Sequence, residues 1–141
     1  MRISAKSDYA CKAILELALN WPHTEPLQIG VIAERQNIPL QFLTQILINL
    51  KQLGYTQSVR GKKGGYKLAV APRDIRLGEL IRKLEQEALS SIPESERHGD
   101  DIMLSVWREV DQAMLNIMDK INFESLADRK RTSDNTIMFE I

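Results

Sequence analysis

Val59-Arg60-Gly61-Lys62-Lys63-Gly64-Gly65-Tyr66-Lys67-Leu68 decides the fold of this chain. Residues with β propensity from Tyr55 to Val59 precede the glycines, and Tyr66-Lys67-Leu68 alternates after them. Adjacent glycines permit φ > 0 at a tight reversal. The stretch therefore predicts a two-stranded hairpin with a flexible tip. Arg60, Lys62, Lys63 and Lys67 crowd that tip with positive charge, which is unfavourable unless an anion such as phosphate lies nearby. Taken alone, the stretch is equally compatible with a solvated turn carrying incidental charge.

What stands upstream favours the hairpin. Tyr9, Ala10, Ala13, Ile14, Leu17 and Ala18 recur at helical spacing, with Ser7 or Asp8 available as a cap. Trp21-Pro22 ends this helix. Gln28 to Gln36 places Ile29, Ile32 and Ala33 on one face, and Asn37 breaks it. Ile38-Pro39 opens a third helix with the apolar stripe Leu40, Leu43, Ile46, Leu47 and Leu50, closed by Gly54. Gln41, Thr44, Gln45, Lys51 and Gln52 lie off that stripe. A glutamine can bond bidentately to adenine in the major groove, and threonine can meet a donor, an acceptor or a thymine methyl. Helix, turn, helix and basic hairpin together predict a winged helix-turn-helix in a mostly α chain, with the third helix in the major groove.

The charge distribution agrees. The 141 residues carry no formal net charge. Residues 1–75, however, hold 10 Lys+Arg against 5 Asp+Glu, and residues 76–141 hold 9 against 14. A basic front and an acidic back suit a binding face joined to a separate module. A single cysteine excludes an intramolecular disulfide. The start Met1-Arg2-Ile3-Ser4 lacks the apolar core of a signal peptide, and no apolar run approaches the roughly 20 residues a membrane span needs. The expectation is a cytoplasmic protein without membrane association.

Downstream, Ala71 to Asp74 is a turn, and Leu77 to Leu84 is a short helix with Leu77, Leu80, Ile81 and Leu84 inward. Periodicity is lost over 86–99, which predicts a loop. From about Asp100 to Asn122, Met103, Trp107, Val110, Met114, Ile117 and Ile121 recur at alternating intervals of four and three. That is a heptad seam, on a helix of about 33 Å. A small winged domain cannot cover it, so pairing with the same helix of a second copy is expected, and a two-fold dimer suits two DNA half-sites. Folding back on its own domain is the competing arrangement. Phe123 to Ala127 predicts one further helical turn, and 128–141 a loose polar tail ending in an apolar segment.

The ordered set of motifs resembles the Rrf2 family of bacterial transcriptional regulators over roughly residues 1–127. The resemblance rests on Met1-Arg2-Ile3-Ser4 with Lys6 and Tyr9-Ala10, on Ile32 to Gln36, and on Phe42-Leu43 with Gln45-Ile46-Leu47. Leu50-Lys51, Leu53-Gly54-Tyr55, Ser58-Val59-Arg60-Gly61 and Gly64-Gly65-Tyr66 carry it further, followed by Leu77-Gly78-Glu79 and Trp107-Arg108-Glu109-Val110. The resemblance implies a dimeric repressor or activator. It implies that Gln41, Phe42, Thr44 and Gln45 face the major groove, that Arg60 reaches the minor groove with Lys62 and Lys63 beside it, and that Arg2, Lys6 and Tyr9 lie near phosphates. Three departures bear on what is read: Pro39 stands where many members have a capping serine, Phe42 where tyrosine is usual, and Thr44 where many have an acid.

Many members hold an iron–sulfur cluster with three cysteines between the winged domain and the long helix. Here Ala88 to Trp107 contains none. The thiolate site of the family cannot form, and no cofactor is expected. One atypical arrangement survives the resemblance: Asp8 and Cys11, three apart on a helix, could meet His98 across a dimer. Cys11 as a small core residue and His98 as a solvated loop residue are the plainer alternatives.

The expected layout is a winged helix-turn-helix domain over 1–85, a loop over 86–99, a dimerisation helix over 100–127 and a tail over 128–141. The expected function is sequence-specific binding of double-stranded DNA by a homodimer on a pseudo-palindromic operator, with a regulatory protein partner compatible with it. The alternative is an interaction module whose dimer binds a partner enzyme and not DNA. An enzyme is not expected: the Gly-Lys-Lys-Gly-Gly run lacks the spacing of a phosphate-cradling loop, and the two histidines and the cysteine fall in separate elements.

Overall fold

The computed structural model describes residues 3–22, 25–85 and 101–140. Helix α1 (Ala5–Leu19) starts at Ser4, whose side-chain oxygen accepts the Ser7 amide at 3.2 Å. The cap is thus three residues earlier than the Ser7 or Asp8 expected. Ser7 lies inside the fold, completely buried. Ala10, Ala13, Ile14, Leu17 and Ala18 are buried as well, and the alanines let α1 approach α3 closely.

α2 (Ile29–Gln36) ends at Asn37, which takes the left-handed conformation at φ 53°. Asparagine tolerates this conformation better than most residues. α3 (Leu40–Gln52) follows at once, with Pro39 as its N-cap. Leu43, Ile46, Leu47 and Leu50 are buried as the stripe required, whereas Leu40 is 55% exposed. Ile38, just before the helix, fills the core at this end. α3 closes with paired reverse bonds: Gly54 N–H to the Lys51 carbonyl and Tyr55 N–H to the Leu50 carbonyl, both 3.0 Å. This is a Schellman ending, and Gly54 supplies its positive φ of 89°.

β1 (Thr56–Val59) and β2 (Gly65–Leu68) pair antiparallel, with Thr56 opposite Leu68 and Val59 opposite Gly65. Leu27 adds a third rung by exchanging backbone hydrogen bonds with Tyr66 at 2.8 and 2.9 Å. The glycines divide their work differently from expectation. Gly61, at φ 117°, makes the reversal. Gly64 and Gly65 are needed for close approach, since a Cβ on Gly64 would meet the Val59 carbonyl and one on Gly65 the Leu27 carbonyl.

A 3-10 turn (Pro72–Asp74) leads to α4 (Leu77–Leu84), with Leu80 and Ile81 buried and Leu77 and Leu84 packed partly against the core. α5 (Ile102–Asp119) lies against α4 and spans about 27 Å. Its end is locked down. Arg82 donates twice to the Asp119 carboxylate, each bond 2.8 Å, and Arg76 donates to the Asp119 carbonyl at 3.0 Å. Gly78 leaves the space that Asp119 occupies. Leu77 N–H to the Ile121 carbonyl and Phe123 N–H to the Ile75 carbonyl tie the junction beyond α5 to the start of α4.

α6 (Phe123–Glu140) has 18 residues where the composition predicted one turn and a loose tail. Phe123 and Ala127 are buried against the core, fixing the first turns on α1 and the 3-10 turn. Beyond them the helix is polar as far as Thr136, and Ile137 and Met138 near its end are exposed. Lys130–Asp134 at 3.0 Å and Arg131–Asp128 at 3.1 Å bridge successive turns, and each such pair adds only about 0.2–0.5 kcal/mol. The loop expected over 86–99 lies outside the described residues.

Candidate nucleic-acid interface

A groove of about 580 Å³ opens between the first turns of α1 and the outer face of α3. Ala5, Lys6 and Tyr9 form one wall, and Phe42, Gln45, Ile48, Asn49 and Gln52 the other, with Ile46 at its base. Lys6, Tyr9, Phe42 and Gln45, which the sequence singled out separately, therefore line one concavity. Phe42 is 55% exposed and Gln45 is exposed beside it. Gln41 is also exposed, on the same helix but outside the groove lining. Thr44 is half-buried, and its hydroxyl already donates to the Leu40 carbonyl at 2.9 Å. Its hydrogen is spent on its own helix. Arg2 lies outside the described residues.

α3 holds this face by its opposite stripe. Four buried aliphatic residues on one side leave Phe42, Gln45, Asn49 and Gln52 together on the other, at intervals of three, four and three. The sequence offered the same spacing for Asn49, yet its place in the groove was missed. Asn49 is a polar position bordering the apolar stripe, and only the neighbouring wall of α1 shows that it faces a cleft.

The hairpin tip adds charge. Arg60, Lys62 and Lys63 are exposed, and among the described residues none of the three is ion-paired. Lys51, at the end of α3, donates to the Ser58 hydroxyl on β1 at 2.6 Å and so ties helix to hairpin. Neither α3 nor the hairpin contains an acidic residue.

On α5, Met103, Trp107, Val110 and Ile117 are exposed, Met114 is half-buried, and Leu104 and Met118, which border this seam on one side, are the buried residues. The competing fold-back covers only that border. Ile121 falls two residues past the end of α5, where its carbonyl is engaged by Leu77, so the helical seam is shorter than the spacing suggested.

The residues proposed for a metal do not fit one. Asp8 is paired with Lys12 at 2.8 Å. Burial pushes the Cys11 thiol up to about 12, and the negative charges of Asp8 and Glu85 reinforce the shift. A cluster ligand must be a thiolate, so a metal binding here would have to displace a proton that burial and the neighbouring acids hold on sulfur. His98 lies outside the described residues. Among the described residues no three His, Cys, Asp or Glu side chains converge. A cysteine-held cluster of the family type therefore does not fit this chain.

Glu85 escaped notice in the sequence. It closes α4 and accepts the Ser4 amide at 2.7 Å, joining the end of α4 to the start of α1. Burial alone would raise its carboxyl, but hydrogen bonding from Ser4, with the Ser7 hydroxyl close by, outweighs that and holds it below its ordinary value.

Among the described residues no helix is long and apolar enough to cross a membrane. The Rrf2 family, described as an iron-dependent transcriptional regulator, matches residues 3–129. A protein of Synechocystis sp. named as an HTH-type transcriptional regulator is 40% identical over 133 residues, covering 89% of this chain and 87% of that protein. The structure of T. potens IscR superposes with a TM-score of 0.77 at 32% identity, covering 94% of this chain and 90% of that one. CymR (YrzC), the global cysteine regulator of B. subtilis, gives 0.79 at 30% identity, covering 92% and 98%. These relatives are named as regulators, and together with the family match and the winged fold they show that this chain belongs to the Rrf2 family of transcriptional regulators.

Proposed function

We propose that the chain acts as a homodimer that binds a pseudo-palindromic operator in double-stranded DNA. The observation that carries this is the groove in which Lys6 and Tyr9 of α1 face Phe42 and Gln45 of α3, beside a hairpin of three unpaired cations. In this arrangement α3 enters the major groove, with Gln41, Phe42, Thr44 and Gln45 toward the bases. Arg60 of the hairpin enters the adjoining minor groove, and Lys6, Lys62 and Lys63 meet phosphates. Residues 1–85 form the DNA-binding unit. The exposed apolar seam of α5 pairs with its copy, because contiguous exposed apolar surface of this kind marks an interaction site. Two-fold pairing then presents two copies of α3 to two half-sites. Control runs without the three-thiolate site, since the chain has one cysteine and keeps it protonated.

Selection of bound fragments from a random DNA pool, followed by titration against salt, tests this. A palindromic consensus is expected, with affinity falling steeply as salt rises. Arg60→Ala should weaken binding and lower the salt slope by about 1. Recovery of no consensus, together with salt-insensitive association with a protein, would instead favour the interaction module.

A further inference from the structure

The chemistry of the α3 face narrows what it can read. Its exposed residues are a phenylalanine, amides, aliphatics and, near the C-terminal end, Lys51, and the helix has no carboxylate among its 13 residues. In the major groove, cytosine presents a donor that suits a carboxylate, and guanine presents paired acceptors that suit arginine or lysine. Neither side-chain type stands beside Phe42 on this wall. Lys6 faces it from α1, and Lys51 is held by Ser58 at the far end of the helix. Adenine presents an acceptor and a donor that match one primary amide, and thymine presents a methyl group that matches an apolar ring.

Phe42 and Gln45 supply that pair of functions from one groove. They are three residues apart, about 4.5 Å along the helix axis, comparable with the roughly 3.4 Å between successive base pairs. An exposed phenyl ring is unfavourable in water. Placing a methyl against it removes apolar surface from both partners, and the absence of a phenolic hydroxyl leaves nothing there to direct the ring toward phosphate.

We propose that Phe42 and Gln45 together read an A·T step in each half-site, Phe42 packing on a thymine 5-methyl group and Gln45 bonding to the N6/N7 edge of a neighbouring adenine. This rests on the DNA-binding function proposed above and assigns the base pair that two of its residues select.

The test uses the full-length protein and the operator selected from the random pool. That operator is synthesised with deoxyuridine replacing thymidine one position at a time, which deletes the methyl and leaves pairing intact. At one position per half-site, wild-type affinity should fall about fourfold, the value of one buried methyl, and Phe42→Ala should bind both operators equally. Replacing the neighbouring adenine by 7-deazaadenine should weaken wild type and leave Gln45→Ala unaffected. Both side chains are exposed, and the base substitutions alter no protein, so a folding defect cannot imitate the result. Indifference of wild type to every methyl deletion, persistence of the effect in Phe42→Ala, or a half-site whose conserved pairs are all G·C would overturn the assignment while leaving operator binding intact. Failure to select any sequence would instead defeat the operator-binding proposal itself.

Discussion

Gly65 sits where two backbones nearly touch. Its neighbour across the sheet is the Leu27 carbonyl, which a methyl group would strike, and its φ of 159° adds to the restriction. Gly65→Ala must separate Leu27 from β2, and a loss of at least about 1 kcal/mol is expected, read as a lowered midpoint in urea unfolding. Gly30 is the control. Nothing lies within 4 Å of a Cβ there, and it occupies α2, so Gly30→Ala should be neutral or stabilising by up to about 1 kcal/mol. Cys11 illustrates the same dependence on surroundings. With its thiol pushed to about 12, roughly one molecule in ten thousand carries the thiolate at pH 8. Alkylation of the native protein at pH 8 should therefore run roughly a thousandfold slower than in urea, where the thiol returns toward about 8.5. The native rate should climb about tenfold per pH unit. A native rate equal to the unfolded rate would show that Cys11 is an open, reactive thiol.

At the scale of elements, α6 gains its order from one end. Phe123 is 1% exposed and Asn122 caps the helix, accepting the Ser125 amide at 2.9 Å. Phe123→Ala removes a large buried ring at the point where α6 meets α1, and a loss of about 3–5 kcal/mol is expected from equilibrium unfolding. Lys130→Ala, at an exposed position paired only with Asp134, should change stability by less than about 0.5 kcal/mol. Similar losses for both would mean that the distal half carries the packing. α5 presents the opposite case: one apolar strip divides the labour, with Leu104 and Met118 at its edge buried on the body and Trp107, Val110 and Ile117 left exposed.

For the molecule as a whole, that outward seam is where the proposed dimer would assemble. Val110→Asp places a charge at its middle, where pairing of two copies would bury it without a partner. The variant should sediment at half the mass of the wild type, retain its helical content, and lose affinity for the palindromic operator far more than for a single half-site. Unchanged mass would place the dimer contact elsewhere. The Arg82–Asp119 clasp has a complementary role, since it fixes the direction in which α5 leaves the winged domain. In the proposed dimer the spacing between two copies of α3 would therefore depend on a contact remote from any base.

Residue order alone determined the helices of the winged domain, the hairpin, and the buried stripe of α3, because each is written in local periodicity and punctuated by residues such as Asn37 and Gly54 with few conformational alternatives. The amides exposed on α3 and the cations exposed on the hairpin were legible for the same reason: they are what remains once the apolar positions are assigned. Tertiary structure alone decided the rest. It brought Lys6 and Tyr9 opposite Phe42 and Gln45, made Gly64 and Gly65 points of close approach, and gave Glu85 its clasp on Ser4. It also ordered α6, whose polar sequence has no helical period of its own. These features depend on which surface meets which across dozens of residues, and no local pattern records that.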